Sequence, residues 1–252
     1  MIVRGQVGRT LLVAGALLTL TSAPAHPVGI ELAWNACFGK PGATSFATSS
    51  CVENTGSQSL IASFSPPAGV DRLEGIEVLI DYQVDAPTLP CWWNFASGQL
   101  RSNQLIPLHV SPTDENGAPL IPCDNHYFLE NGASGGGGMV VTGASRGQLR
   151  GIAAIMAGTG LPVAAEAQQY AAGFRILNGN TMPPGTCDGC ANIACFVVQT
   201  INLSTFGFPD VVLQSPQPGS QQVAIWRFNQ WLNCYPTPVL QSTWGSIKSI
   251  YR

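Results

Sequence analysis

The sequence predicts an all-β fold, an antiparallel β-sandwich or jelly roll with disulfide-bonded loops and a short C-terminal helix. Three observations support this prediction. The 252 residues contain repeated short runs of β-branched and aromatic residues, bounded by Gly, Pro and Asn. Charged residues make up only 10% of the chain, whereas helical proteins normally expose more Glu, Lys and Arg. Eight cysteines all follow a segment with the features of an export signal, which indicates oxidised thiols.

The first residues have the pattern of a signal peptide. Arg4 and Arg9 provide a positive start, the run from Leu11 to Leu20 is almost uninterruptedly apolar, and Ala23-Pro24-Ala25 has the small-x-small form of a cleavage site. The apolar run has about 10 residues, which is too short for a hydrocarbon core that needs about 20. The alternative is a buried N-terminal helix of a cytosolic protein.

Cleavage after Ala25 would remove residues 1–25 and leave 26–252 as a single secreted β-sandwich domain, located in the periplasm or outside the cell. Nine basic residues would then face fourteen acidic ones, a net charge of −5, with Lys40 and Lys248 as the only lysines. So few cations neutralise few phosphates, which excludes nucleic acid as an expected partner. No later stretch is apolar enough to predict a membrane span after signal cleavage.

Eight strands are predicted from the alternation of apolar and polar residues. In the strongest of them Ile76, Val78 and Ile80 share one face, and Glu77 and Asp81 share the other. The predicted strands are, in order, Gly29–Trp34, Ser59–Phe64, Leu73–Tyr82, Gln99–Val110, Gly147–Ala157, Tyr170–Leu177, Cys195–Leu203 and Val223–Phe228.

Helical patterns are few, and one glycine-rich segment interrupts the strands. Pro162–Tyr170 has helix propensity for about two turns, and Ser242–Tyr251 predicts the short C-terminal helix. The segment Gly132–Gly143 contains four consecutive glycines, which favours a flexible loop.

The cysteines are expected to form a disulfide framework whose connectivity the sequence leaves open. Proximity in sequence suggests that Cys37 bonds Cys51 and that Cys91 bonds Cys123. The remaining cluster would form one local bridge and one long bridge; its members are Cys187, Cys195, Cys190 and Cys234.

The spacing Cys187-Asp188-Gly189-Cys190 is also that of a zinc knuckle or a redox motif. Zinc would take Cys195 and Cys234 as its second pair of ligands. The motif follows Pro183-Pro184-Gly185 and precedes a predicted strand, so it lies in a loop and favours structural disulfides. No metal or cofactor is therefore expected.

The segment Val141–Gly147, with the sequence VTGASRG, resembles the nucleotide-binding turn of short-chain dehydrogenases. That turn needs a further glycine where Leu149 stands, and it must open a helix that holds a pyrophosphate. No Tyr-x-x-x-Lys follows. The match is therefore interpreted as chance.

A hydrolase is the alternative functional class, but no catalytic residue is assigned. The histidines are His26, His109 and His126, and no G-x-S-x-G elbow occurs. His126 with nearby Asp124 is the best candidate for glycan or ester hydrolysis.

Aromatic residues provide the only hint of a ligand. Trp92 and Trp93 are adjacent, and adjacent strand residues point to opposite faces, so one of the two is expected to be core and the other exposed. Trp226, Trp231 and Tyr235 are further candidates for stacking on sugar rings. The predicted ligand-binding residues are Trp92, Trp93 and His126.

Several segments resemble a family of uncharacterised exported bacterial proteins. They include Leu32-Ala33-Trp34, Leu89–Trp93, Ile201-Asn202-Leu203 and the ending Thr243–Arg252, which reads TWGSIKSIYR and fits the pattern TWGxxKxxYR. More loosely, Gly147–Ala157 followed by Tyr170–Leu177 resembles the late strands of cohesin-like β-sandwiches. This second resemblance implies a strand, not a dinucleotide-binding helix, after Gly147.

Together these patterns favour a secreted extracellular binding or structural module over an enzyme. The expected partner is a glycan or a cell-surface protein, and the oligomeric state is left open.

Overall fold

The computed structural model describes residues 29–227, except for 109–111, 114, 118, 127–132, 157, 159, 165–166, 208 and 216–220. The predicted signal peptide and the predicted C-terminal helix lie outside these residues, as do His26, His109, Cys234, Trp231 and Tyr235. Within them the chain contains no α-helix, and no helix that is long and apolar enough to cross a membrane.

The described residues form twelve strands and one 3₁₀ turn at Cys91–Trp93. The strands are β1 (Ile30–Trp34), β2 (Phe46–Ala47), β3 (Ser57–Phe64), β4 (Arg72–Val84), β5 (Leu105–Leu108), β6 (Ser134–Gly143), β7 (Arg146–Ala154), β8 (Leu161–Pro162), β9 (Gln169–Leu177), β10 (Ala194–Thr205), β11 (Val211–Gln214) and β12 (Val223–Trp226).

Two sheets pack against each other, so the predicted all-β sandwich is confirmed. The smaller sheet has the order β1-β3-β9-β5. The larger sheet has the order β2-β12-β10-β4-β7-β6, with β11 beside β10 and β8 beside β4. Neighbouring strands are antiparallel except for the short parallel pair β12 and β2.

The core lies between the sheets and takes one face of each strand. On β4, Ile76, Val78 and Ile80 are buried, as their alternation predicted. On β9, Phe174 and Ile176 occupy the same core, as predicted. Because side chains alternate along a strand, this pattern fixes the register of each pairing.

The largest difference from the sequence prediction concerns Gly132–Gly143, which was expected to be a flexible loop. The structure places Ser134–Gly143 in the ten-residue strand β6, paired with β7 from Ser134↔Ala154 to Gly143↔Arg146. Glycine disfavours strands because it loses more backbone entropy than other residues. Here the continuous hydrogen-bonded ladder with β7 outweighs that cost.

Two smaller differences concern elements on either side of β6. Of the described part of the predicted strand Gln99–Val110, Leu105–Leu108 form a strand, and residues 99–104 are turns and bends. The helix propensity of Pro162–Tyr170 is not realised in the described residues, because Pro162 pairs with Arg72 of β4. Tertiary pairing thus overrides local propensity.

The dehydrogenase-like segment forms a β-hairpin. Val141 ends the regular part of β6, Arg146 begins β7, and Ala144-Ser145 lie in the turn. A strand after Gly147 is what the resemblance to late sandwich strands implied, and no helix opens there to hold a pyrophosphate.

A second, smaller core covers the outer face of the smaller sheet. Ile61 and Tyr170 point away from the main core and pack with Leu108 and Ile121. The backbone N–H of Cys37 donates to the carbonyl of Pro122 at 2.9 Å. The chain after β5 therefore folds back over the smaller sheet. We call its segment at residues 121–126 the cover.

The disulfides differ from the pairing that sequence proximity suggested. Three bridges join Cys37 to Cys123, Cys51 to Cys190 and Cys91 to Cys187, across separations of 86, 139 and 96 residues. Cys195 is also disulfide-bonded. Local pairing was wrong because the sandwich brings loops together that are distant in sequence.

We expect that replacing both Cys51 and Cys190 with Ser lowers the free energy of unfolding by about 2–5 kcal/mol, because a long closed loop is released in the unfolded chain. Thermal unfolding of the oxidised protein measures this change. Mass spectrometry of unreduced peptides should link Cys51 to Cys190, and a peptide linking Cys37 to Cys51 would contradict the structure.

Candidate functional site

The predicted aromatic ligand site is part of the core. Trp92 and Trp93 are both 0% exposed, and Trp226 is also 0% exposed. The rule that adjacent residues point to opposite faces fails here because Cys91–Trp93 form a 3₁₀ turn, not a strand. None of these three rings offers a face to a sugar in this structure.

The three tryptophans instead pack on one another and hydrogen-bond to the loop between β9 and β10. The ring centroids of Trp92 and Trp93 lie 4.7 Å apart, and those of Trp92 and Trp226 lie 5.1 Å apart. The indole N–H of Trp93 donates to the carbonyl of Gly189 at 3.0 Å, and that of Trp226 to Cys190 at 3.1 Å.

The CDGC segment is a structural turn within this loop. Gly189 has φ +101°, and a Cβ placed there would lie 2.3 Å from Cβ of Pro90. Cys187 and Cys190 bond two different partners, Cys91 and Cys51, so their thiols are unavailable to zinc or to a shared redox disulfide. Among the residues the structure describes, no cluster of His, Cys, Asp and Glu is arranged to hold a metal.

Arg101 is a fully buried cation that no sequence pattern singled out. Its guanidinium carbon lies 3.8 Å from the ring centroid of Trp92, and its terminal nitrogens donate to the carbonyls of Gly179 and Leu177 at 2.8 and 2.6 Å. Burial lowers the pKa of Arg101 to about 9, so the group stays charged at neutral pH. It holds the end of β9 against the aromatic cluster.

The structure does not assemble His126 and Asp124 into a catalytic pair. The carboxylate of Asp124 forms an ion pair with Lys40. The half-buried ring of His126 stacks on Tyr170, with centroids 5.8 Å apart and planes 30° apart. Desolvation lowers the pKa of His126, against a smaller raising effect of a hydrogen bond with the Ile121 backbone. Both residues therefore belong to the cover over the smaller sheet.

Sequence reasoning also missed Glu31, a buried acidic residue on β1. Its carboxylate accepts hydrogen bonds from the amide of Gln168 and from the hydroxyl of Ser63. Gln168 donates as well to the carbonyl of Phe38 at 2.9 Å. These bonds join β1, β3, the loop after β1 and the residue before β9 on the outer face of the smaller sheet.

The two flanks of the sandwich differ in how their strand edges are covered. On one flank, the N–H groups of Leu32 and Trp34 on β1 donate to the carbonyls of Gln221 and Thr44, at 2.6 and 2.8 Å. These bonds connect the edge of the smaller sheet to the chain beside β12 and β2. That flank is sealed by main-chain hydrogen bonds.

The opposite flank ends at β5 in the smaller sheet and β6 in the larger sheet, and there the edge of β6 is exposed. β6 has ten residues, with no charged residue and no proline among them. Proteins usually protect a long edge strand with charges, proline or a bulge. The only irregularity on β6 is the register shift between Val141 and Gly143, next to the hairpin turn.

Glycine shapes this edge in two ways. A Cβ on Gly137 would lie 2.6 Å from the carbonyl oxygen of Arg150 and 3.1 Å from Cβ of Pro107, so glycine lets β5 approach β6. A Cβ on Gly136 or Gly138 would meet no atom within 4 Å. The outer face of β6 therefore has room for side chains at Gly136 and Gly138.

An open cleft of about 390 Å³ lies between the two edge strands. Its walls combine apolar side chains with exposed backbone and two serine hydroxyls; the lining residues are Phe95, Ser97, Ser102, Leu105, Pro107, Gly137, Gly138 and Met139. Beside it, Val140 and Val141 are 56% and 49% exposed. The candidate site is the combination of this cleft with the outer edge of β6, beside which no described strand pairs. The available sequence signal was the absence of charge and proline over Ser134–Gly143.

Fold and site together define a disulfide-bonded antiparallel β-sandwich with one sealed and one open flank. Neither protein-family models nor curated proteins match the sequence. Among solved structures, the chain is similar to the second type II cohesin module from the adaptor ScaA scaffoldin of Acetivibrio cellulolyticus, at 12% identity and a TM-score of 0.35. The match covers 85% of this chain and 97% of that chain. A similarity at this TM-score carries no functional argument, so the function must be inferred from this chain's own residues.

We expect acid to loosen the cover through His126. Because its folded pKa is lowered, the neutral ring contributes stability that is fully present above the unfolded pKa of about 6.5 and is lost as pH falls through the folded value. His126→Phe keeps an aromatic ring but does not titrate. Between pH 7 and pH 5 the wild type should therefore lose more unfolding free energy than the variant, by less than about 1 kcal/mol because the ring is partly exposed.

Thermal unfolding of both proteins at the two pH values measures this difference, and contributions from the other histidines cancel in the comparison. Equal losses in the wild type and in His126→Phe would contradict it.

Proposed function

We propose that this protein is a secreted binding module that takes an extended segment of a partner protein at the edge of β6. The observation that carries the proposal is a ten-residue exposed edge strand without a charged residue or proline. Such an edge presents unpaired N–H and C=O groups, which are a template for another strand. Main-chain hydrogen bonds would supply affinity, and side-chain contacts would supply selectivity.

The cleft supports this proposal because it lies where a bound strand would place side chains. Gly138 and Met139 belong both to β6 and to the wall of the cleft. Alternate side chains of an added strand point to the same face. One side chain of the partner would enter the cleft, with the hydroxyls of Ser97 and Ser102 available to a polar atom.

The other edges of the sandwich are poorer templates. β5 has four residues, and its Pro107 has no N–H to donate. β2 has two residues and β11 has four, and the outer edge of β1 is already hydrogen-bonded. Among the described strands, β6 therefore presents the longest accessible edge.

Glycan binding and hydrolysis receive less support. Glycan binding depended on exposed tryptophan rings, but Trp92 and Trp93 are buried. Hydrolysis depended on His126 with Asp124, but Asp124 pairs with Lys40. Export remains part of the proposal because three disulfides in one chain are typical of oxidising compartments.

The test uses a fluorescent ten-residue peptide of alternating Thr and Val with terminal lysines, titrated against the purified oxidised protein. We expect saturable binding by fluorescence polarisation, and about tenfold weaker binding with Gly136→Lys, because a cation on the edge strand must be desolvated when a strand pairs. Val52→Lys is the matched control, since Val52 is an exposed residue in a loop distant in sequence from β6.

The same peptide with every backbone nitrogen methylated should not bind, because neither of its edges can then donate hydrogen bonds to the ladder. Equal binding of the methylated peptide would contradict strand addition. If the protein bound soluble oligosaccharides and did not bind the Thr–Val peptide, the glycan alternative would be restored and the proposal overturned.

A further inference from the structure

β6 has small side chains in its first half and larger side chains in its second half. Gly135, Gly136 and Gly137 occupy one side of Gly138, and Met139, Val140 and Val141 occupy the other. An antiparallel strand runs in the opposite direction, so a copy of β6 placed alongside would set its large half against the small half of the first. The strand is therefore complementary in size to itself.

We propose that a second copy of this chain occupies the β6 edge, pairing antiparallel about a two-fold axis at Gly138. This inference rests on the proposed function, since it names the partner of the same edge. In this register Val140 of each copy lies opposite Gly136 of the other, and Val141 lies opposite Gly135. The larger sheets of two copies join into one continuous sheet.

The faces of the strands agree with this register. Met139 pairs with the buried Leu149 of β7, so Met139 points inward and its neighbour Val140 points outward. Directly opposed residues of an antiparallel pair share a face, and Gly136 points outward as Val140 does. A Cβ on Gly136 would meet nothing within 4 Å, so the space that a partner's Val140 needs is free.

The charges of β6 also permit a second copy. Like charges placed opposite each other destabilise a strand pair, and a two-fold pairing always brings the same residues together. From Ser134 to Gly143 the strand has no charge to repel itself. The basic residue nearest the axis is Arg150 of β7, which pairs with Gly138, and its charge is compensated by the ion pair with Glu77.

Disulfide trapping tests the register. Gly138→Cys places two thiols opposite each other on the axis, and Gly136→Cys places them four residues apart, about 14 Å, which is beyond disulfide reach. Both glycines tolerate a Cβ, so the two variants are matched. Under mild oxidation we expect a covalent dimer from Gly138→Cys and none from Gly136→Cys. Trapping of Gly136→Cys in preference to Gly138→Cys overturns the proposed register.

Sedimentation over a concentration series tests the association without a covalent bond. We expect a monomer–dimer equilibrium for the wild type and for Val52→Lys, and a dissociation constant raised at least about tenfold by Gly138→Lys, with an unchanged unfolding temperature. A dimer unaffected by Gly138→Lys overturns the inference.

A protein that stays monomeric while it binds the Thr–Val peptide overturns self-pairing but leaves strand addition intact. A protein that is monomeric and does not bind the Thr–Val peptide overturns both self-pairing and strand addition. A dimer that the Thr–Val peptide dissociates supports both, because the two strands then compete for one edge.

Discussion

The buried indole N–H groups of Trp92, Trp93 and Trp226 need acceptors, and the loop between β9 and β10 provides them. Trp93 and Trp226 donate to backbone carbonyls of that loop, and Trp92 donates to the hydroxyl of Thr181 at 3.0 Å. A buried donor without an acceptor costs about 1–3 kcal/mol, so the aromatic core and the loop are stable only together. Two disulfides, at Cys187 and Cys190, hold the same loop to the 3₁₀ turn and to the segment before β3. Hydrogen bonds, ring packing and covalent bonds together fix this end of the sandwich.

The strands that the sequence predicted correctly are those whose faces differ in polarity. β4 shows this clearly, because Ile76, Val78 and Ile80 are buried while Glu77 accepts a hydrogen bond from Asn202 on the outer face at 3.0 Å. β6 escaped prediction for the opposite reason. Its glycines carry no side chains from which to recognise a period, and its strand conformation comes from pairing with β7, which is a property of the assembled sheet. The local sequence pattern was therefore sufficient to predict the strands at the centre of the sandwich but not the glycine-rich strand β6 at the edge of the larger sheet.

The candidate site shows the same division. The sequence predicts Trp92 and Trp93 as ligand-binding residues, but both are buried, because they lie in a 3₁₀ turn packed beneath the loop that follows β9, a contact between residues almost a hundred positions apart. Arg101 was not recognised, because its acceptors at Leu177 and Gly179 are similarly distant along the chain. The disulfide pairing failed for the same reason, since proximity along the chain does not determine which loops meet. Residue type drew attention to the tryptophans and cysteines, but the tertiary fold determines which of these side chains face solvent and which are paired.

The hydrogen bonds from Leu32 and Trp34 to Gln221 and Thr44 have a consequence for solubility. Strand pairing becomes hazardous when a molecule offers two free edges, because each copy can then recruit another without limit and a fibre grows. This sandwich leaves one long edge accessible and blocks the flank across from it. An isologous contact at the accessible edge uses that edge on both copies and stops there. The glycine-rich strand β6 can therefore lack protective charges and proline, because pairing at this edge ends with two copies and does not extend into a fibre.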